Sequence, residues 1–263
     1  MNPLYFCFQI KNNIMNQHNM DPQVNPHVSV DCVLFGYDGA DLKILLVQQI
    51  AQSDKSLPSR MKLPGSLIYE DLDDDLDEAA RRVLFELTGV KDINLLQFQA
   101  FGSKSRTANP KDTLWLEHFH QLHTSIQRIV TIAYISFLKI DGRLKSLSSR
   151  YHACWAPLNE VGDLAFDHNQ IISSAIVYLQ RYVESNPAAL YELLPRKFTM
   201  QQVRHLNELV FNKSFDPRNF QKKLLQAEYI TPLDEYEKGV SHRAARYYKF
   251  DRKIYNNQIH KIF

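Results

Sequence analysis

The chain has 263 residues, 44% of them hydrophobic, with 31 Lys+Arg against 29 Asp+Glu. That is enough to bury a substantial core, and it excludes a low-complexity or disulfide-framework protein. The net charge of +2 hides an asymmetry: residues 187–263 hold 14 basic and 8 acidic side chains, so the front of the chain is acidic and the back basic. Two domains are expected, the second facing an anionic partner. Cys7, Cys32 and Cys154 form no C-x-x-C pair, which argues against a zinc site and fits a reducing, cytoplasmic setting. The first residues, MNPLYFCFQIKNN, lack the charged start and cleavage site of a signal peptide. No run approaches a membrane span, so no membrane partner is expected. Residues 1–26, rich in Asn, Gln, His and Pro toward their end, read as a disordered leader, with Met15 or Met20 as possible true starts.

Residues 28–35 (VSVDCVLF) and 42–48 (LKILLVQ) read as strands joined by a turn at Asp38-Gly39. Residues 49–62 form a polar loop. Asp75 with Glu78 three residues on resembles a capping box. Leu76, Ala80, Val83 and Leu87 then recur at helical spacing, and Gly89 suits a left-handed helix end. The acidic run Asp71, Asp73, Asp74, Asp75, Asp77, Glu78 reads as a solvated helix N-terminus, where carboxylates favour the dipole. A strand is expected over residues 93–101. Residues 103–127 read as a long loop or insertion with an Asn109-Pro110 turn: a lid, a dimer contact or a disordered excursion. His118, His120 and His123 cluster there, but nothing completes metal-ligand spacing, so no metal is assigned. Trp115 and Phe119, four apart, read as a packing pair. Residues 128–140 (RIVTIAYISFLKI) form a central strand and residues 154–157 a closing one. Asp167-His168 heads a helix whose apolar side carries Ile171, Ile172, Ala175, Ile176 and Leu179. Asn186-Pro187 marks a linker over residues 185–190.

In the basic remainder, Thr199 caps a helix over residues 200–211, and Asp216 with Pro217 opens a second. Phe220, Leu224 and Ala227 form the buried stripe of that second helix; Arg218, Asn219, Gln221, Lys222 and Gln226 face outward, with Lys223 at the edge. A turn at Lys238-Gly239 and the segment SHRAARYYKF complete a basic hairpin. Helix, turn, helix and hairpin are the parts of a winged helix, whose second helix reads base edges in the major groove. Lys238, His242, Arg243 and Arg246 would lie on the wing and touch phosphates.

From Leu63 the chain reads LPGSLIYEDLDDDLDEAARRVLFELTGV, which resembles the Nudix box G-x5-E-x7-R-E-U-x-E-E-x-G-U (U, a bulky aliphatic). Arg82, Leu84, Glu86, Gly89 and Val90 match. Val83 and Leu87 stand where the box has Glu, and eight residues rather than five separate Gly65 from the aligned Asp74. An enzyme of this kind needs clustered carboxylates to hold Mg²⁺ against a pyrophosphate. The resemblance therefore implies a retained fold with the hydrolysis lost: no catalytic residues, no cofactor. The fold implied over residues 27–184 is α/β, a Nudix-like α/β/α sandwich with a mixed sheet, followed by a winged helix-turn-helix domain over residues 191–263. Asp167-His168 also resembles an Asp-His of ADP-ribose-processing Nudix domains. With it, Glu86, Phe101 and Arg128 are the candidate effector-binding residues.

The D-x-R-N-F signature at Asp216, Arg218, Asn219 and Phe220, and the R-x-A-x-x-Y-x-F signature at Arg243, Ala245, Tyr248 and Phe250, resemble the winged helix of Nudix-related transcriptional regulators. Members of that family bind double-stranded operator DNA as homodimers and answer to a small effector, either ADP-ribose-type nucleotides or pentoses. The loss of two carboxylates favours a free pentose over a metal-bound pyrophosphate, hence a regulator of carbohydrate use. Two rivals stay open: an active Nudix hydrolase of a nucleoside diphosphate sugar such as ADP-ribose, and an RNA-linked pyrophosphatase relative whose basic domain grips RNA.

Overall fold

A computed structural model describes residues 22–48, 60–123, 125–140, 147–241 and 243–259. The front half is built on one mixed sheet. Strands β1 (Val24–Tyr37), β2 (Leu42–Gln48), β3 (Met61–Lys62), β4 (Gly65–Tyr69), β5 (Leu96–Phe101), β6 (Val130–Lys139) and β7 (Cys154–Pro157) run in the order β3-β2-β1-β6-β5, with β4 on β1 and β7 on β2. The pair β1–β6 is parallel over ten residues, Val28↔Val130 to Tyr37↔Lys139; the other pairs are antiparallel.

Alternation along β1 decides the layers, because successive side chains leave opposite faces of a strand. Val30, Cys32 and Leu34 pack with Leu45 and Val47 against helix α1 (Leu76–Thr88) through Ala79, Ala80, Val83, Leu84 and Leu87. Val33, Phe35 and Tyr37 pack with Ile44 and Leu46 against helix α3 (His168–Ser185) through Ile171, Ile172, Ala175 and Leu179. The expected α/β/α sandwich is thus present, with helices on both faces of the sheet. Asp75 caps α1 by accepting from the Glu78 amide, while the Glu78 side chain returns to Asp74 N, one residue before the cap. Gly89 ends α1 at φ 76.

Four expectations need correction. β1 begins at Val24, so residues 24–26 are strand rather than leader, and the Gln23 amide is held by Asp71 at 3.0 Å; residues 1–21, with Cys7, Met15 and Met20, lie outside the described residues. The strand expected from residue 93 starts at Leu96. The segment 103–127 is not a loose excursion. It holds a 3-10 turn (Lys104–Thr107) and helix α2 (Pro110–Phe119), opened by Asn109, whose side chain accepts from Lys111 N. Trp115, Leu116, Ile126 and Ile129 bury that segment against Leu67, and Trp115 stacks on Phe119 at 5.0 Å. Finally, residues 188–190 of the expected linker open helix α4 (Ala188–Leu193), because Ala188, Ala189, Leu190 and Leu193 are all buried.

The back half consists of α5 (Met200–Phe211), α6 (Pro217–Leu225), the hairpin β8 (Ile230–Tyr236) and β9 (Arg246–Phe250), and α7 (Arg252–Ile259). The core does not stop between the halves. The cluster that includes α3 runs on through Leu190, Leu193, Phe198, Val203, Leu206 and Val210 to Ile230 and Tyr248. Among the described residues no helix is long and apolar enough to cross a membrane.

Candidate functional site

Beneath the first turn of α3 lies a fully buried charge cluster. Asp31, 2% exposed, is the one carboxylate on the buried part of β1. Room for it exists because residue 65 is glycine: a Cβ there would sit 1.7 Å from Asp31 Oδ1. Arg106, delivered by the 3-10 turn before α2, donates to Asp31 Oδ2 at 2.6 Å and to Asp167 Oδ1 with its other terminal nitrogen. Its guanidinium lies 5.6 Å from the Phe166 ring centroid. His168 Nδ1 accepts from the Leu63 amide at 2.9 Å, which leaves the neutral ring's proton on Nε2, 3.4 Å from Asp31 Oδ1. Lys62 is also buried and donates to the Gly65 carbonyl. Arg60 secures the outside of the cluster by pairing with Asp112 at 3.0 Å, a carboxylate 1% exposed. Asp112 also accepts from Phe166 N and from Asn109 Nδ2.

The electrostatics follow from burial. Burial alone would raise the Asp31 carboxyl, but the opposing groups of His168, Arg106 and Lys62 hold it at about 2. Burial drives His168 down to about 3 against the pull of Asp31, so the imidazole is neutral at physiological pH. Burial lowers Lys62 to about 8, again resisted by Asp31. Three buried polar atoms have no hydrogen-bond partner among the described residues: Arg106 Nε, His168 Nε2 and Ser29 Oγ.

A second cluster lies on β4 and α1. Arg82 pairs with Asp73 through two bonds of 2.7 Å, reaches Glu86 at 3.1 Å, and stacks 4.3 Å from the Tyr69 ring centroid. Asp73 is therefore not part of a solvated run: its side chain is 4% exposed. Asp77 stays exposed, as the solvated reading expects, and accepts from Tyr134 Oη at 2.7 Å. His120, at the end of α2, meets Ser66 Oγ at 2.8 Å and lies edge-on to Tyr69. Burial, with Arg82 and Lys62 nearby, lowers His120 to about 3. Glu86 keeps 41% of its side chain exposed. Val83 and Leu87, by contrast, are 0% and 3% exposed within the apolar layer.

The five candidate effector residues do not form one site. Asp167 and His168 belong to the first cluster and Glu86 to the second. Phe101 is 5% exposed in the core on the α3 side, against Phe98. Arg128 points to the surface and donates to the Gly102 carbonyl at 2.7 Å. Asp31, Lys62 and Arg106 were not singled out by the sequence. Asp31 carries a usable signal, being the lone charge within the apolar run VSVDCVLF.

In the back half, Thr199 and Gln202 form a reciprocal capping box on α5. Asn212 takes φ 47 to turn the chain, and Glu208 Oε1 ties down Phe215 N and Arg204. Asp216 caps α6 by accepting from Asn219 N at 2.9 Å. Phe220, Leu224 and Ala227 seat α6 on the core. Arg218, Asn219, Gln221, Lys222 and Lys223 are all exposed. Asn219 and Lys223 also line a groove of about 300 Å³ with Phe215, Phe220, Leu224 and Tyr229. Lys238, Arg243 and Arg246 are exposed on the wing, where Arg246 Nε donates to the Leu233 carbonyl at 2.7 Å; His242 lies outside the described residues. The wing is not uniformly basic, for Asp234, Glu235 and Glu237 share it, and Glu235 pairs with Lys197.

Comparison with known proteins gives these two halves their family. The NUDIX domain family matches residues 25–175, and the NrtR DNA-binding winged helix domain family matches residues 190–250. The chain is 23% identical over 251 residues to the ADPR responsive transcriptional repressor NtrR of Acinetobacter baylyi, covering 95% of this chain and 92% of that protein. The crystal structure of Shewanella oneidensis NrtR is 26% identical with a TM-score of 0.60, covering 85% of this chain and 93% of that one. The same protein complexed with a 27mer DNA shares the fold at 24% identity and a TM-score of 0.61, covering 87% and 95%. With a sandwich and a winged helix each matched in its own half, the chain belongs to the Nudix family, among the Nudix-related transcriptional regulators that carry an NrtR-type DNA-binding winged helix.

Proposed function

We propose that the protein is an effector-responsive transcriptional repressor in which the Nudix domain senses an ADP-ribose-type nucleotide without hydrolysing it. The observation that carries this reading is the seating of α6. Its apolar stripe is spent on the core, and every candidate base-reading side chain is left exposed beside a wing bearing Lys238, Arg243 and Arg246. Hydrolysis is argued against by Val83 and Leu87. They lie inside the apolar layer where the box would carry carboxylates, and Glu86 is engaged by Arg82. The effector is proposed to rest against the face of β4, α1 and α2, where Tyr69 and His120 are half-buried and Glu86 exposed. Such a site offers a few polar groups on a mostly apolar wall. The nucleotide replaces the pentose favoured by the sequence, since the Acinetobacter relative is named for its response to ADPR. Action in the cytoplasm as a homodimer on a two-part operator belongs to the same proposal.

The test is a fluorescence-anisotropy titration of the full chain onto duplex DNA from its own upstream region, with nonspecific competitor, alone and with ADP-ribose, arabinose or xylose. ADP-ribose is expected to shift the binding curve, with both pentoses silent and ADP-ribose recovered intact. Arg218→Ala should lower discrimination by about 1–3 kcal/mol, whereas Lys238→Ala should weaken all duplexes alike and flatten the salt dependence. A shift by a pentose alone, or steady turnover of ADP-ribose, would overturn the effector and the inactivity respectively.

A further inference from the structure

Resting on the reading of α6 as the DNA-contacting helix, we propose that Leu225 is a specificity-determining residue that reads the 5-methyl group of a thymine in the major groove. Leu225 is the last residue of α6 and is 45% exposed, one of few large hydrophobic side chains so open among the described residues. It does not belong to the stripe that seats the helix. Phe220 and Leu224 pack on the core, and one further residue rotates Leu225 about 100° away from them.

That rotation places Leu225 at i+7 from Arg218 and i+3 from Lys222, on the same helical face as both cations. Lys222 and Lys223 occupy the same last turn, so phosphate contacts draw that turn, and Leu225 with it, toward a duplex. An aliphatic side chain gains nothing from phosphates or from base-edge donors and acceptors. The apolar group that a major groove offers is the thymine methyl, which distinguishes A·T from the other pairs by contact rather than by hydrogen bond. An exposed Leu beside two cations on a reading face fits that one feature.

The experiment compares the full chain with its Leu225→Ala variant in selection from a randomised duplex library. Each thymine of the enriched duplex is then replaced in turn by deoxyuridine, which lacks the methyl. Alanine at an exposed helical position keeps the fold, and circular dichroism checks this. The wild-type chain is expected to prefer thymine at one position per half-site and to lose affinity about fourfold with deoxyuridine there, the value of one buried methyl. The variant should lose both the preference and the deoxyuridine effect while keeping its other base preferences and its salt dependence. The same thymine with the same deoxyuridine penalty in the variant overturns the proposal, as does a change of oligomeric state in light scattering on substitution. Failure of both chains to enrich any duplex would instead sink the DNA-binding reading beneath it, whereas a variant alone that enriches nothing overturns the proposal by showing a general loss of binding.

Discussion

Arg106 is the residue on which the buried cluster depends. It neutralises Asp31 and Asp167 at once, both in the interior edge of the Nudix domain, and it is itself only 3% exposed on its side chain. A buried pair contributes little net stability, because desolvation offsets attraction, but removing one partner strands a buried charge. Arg106→Met is therefore expected to cost about 3–5 kcal/mol, read as a lowered urea midpoint; a loss under 1 kcal/mol would show that Asp31 is carried by Lys62 alone. The two clusters together set the acid limb. The His168 and His120 rings sit near 3 in the folded chain against about 6.5 unfolded. The unfolded chain therefore binds more protons from pH 6.5 downward, and stability falls across that window until the folded rings also protonate near 3. Asp31 acts in the same direction lower down: its lowered carboxyl stabilises above about 3.9, and that contribution fades as pH falls toward 2. Each ring contributes up to about 1.4 kcal/mol per pH unit, and His120, being partly exposed, contributes less. His120→Gln should therefore make the fall in stability between pH 6.5 and 4 shallower, in urea melts taken at each pH. An unchanged slope would mean that His120 protonates freely in the folded protein.

Helix α1 shows why repairing the box is expected to fail. Its apolar stripe was legible in sequence at Leu76, Ala80, Val83 and Leu87, and the structure buries the last three among Val30, Cys32 and Leu34. A carboxylate at residue 83 would enter that apolar layer, while Arg82 is already committed to Asp73 and Glu86. Val83→Glu is thus predicted to destabilise by several kcal/mol and to yield no ADP-ribose hydrolysis with Mg²⁺ supplied. Turnover by a folded Val83→Glu, Leu87→Glu chain would show that the helix can rotate to aim both groups outward. The other elements divide by the range of the forces that make them. Strands β1, β2 and β6 and helices α1, α3, α5 and α6 follow from periodicity and from local caps such as Asp75, Thr199 and Asp216. The segment 103–127 did not, because what orders it is distant: Arg106 finds Asp31 across 75 residues and Asp112 finds Arg60 across 52. Asn109-Pro110 carries a local signal, but one that suits a turn as well as the helix cap it forms. The split of the five effector candidates was hidden for the same reason, as no spacing in the chain says which face of the sheet Phe101 enters.

At the scale of the molecule, one helix joins the two halves. The first turn of α3 touches the box loop through His168 Nδ1 and the Leu63 amide. About 27 Å is the length of its 18 residues. Its second half meets the winged helix, where Gln180 Nε2 donates to the Val210 carbonyl at 2.9 Å, at the end of α5. A second contact leaves the sheet directly: His205 Nε2 on α5 lies 2.6 Å from the Ala40 carbonyl in the β1–β2 turn. With an apolar core continuous between the halves, a change in the seating of α3 cannot be confined to one of them. Coupling free energies of about 1–3 kcal/mol, or 5- to 150-fold in affinity, are usual for such linkage and must be reciprocal. Removing both polar contacts with Gln180→Ala and His205→Ala leaves α6 and the wing untouched. DNA affinity without effector should therefore stay within about threefold, while the shift produced by ADP-ribose should shrink by about fivefold or more. The affinity of ADP-ribose should become correspondingly insensitive to DNA, measured by calorimetry with and without the duplex. If both shifts survive the double substitution intact, the effector signal passes through the apolar core of α3 and α5 rather than through these two hydrogen bonds.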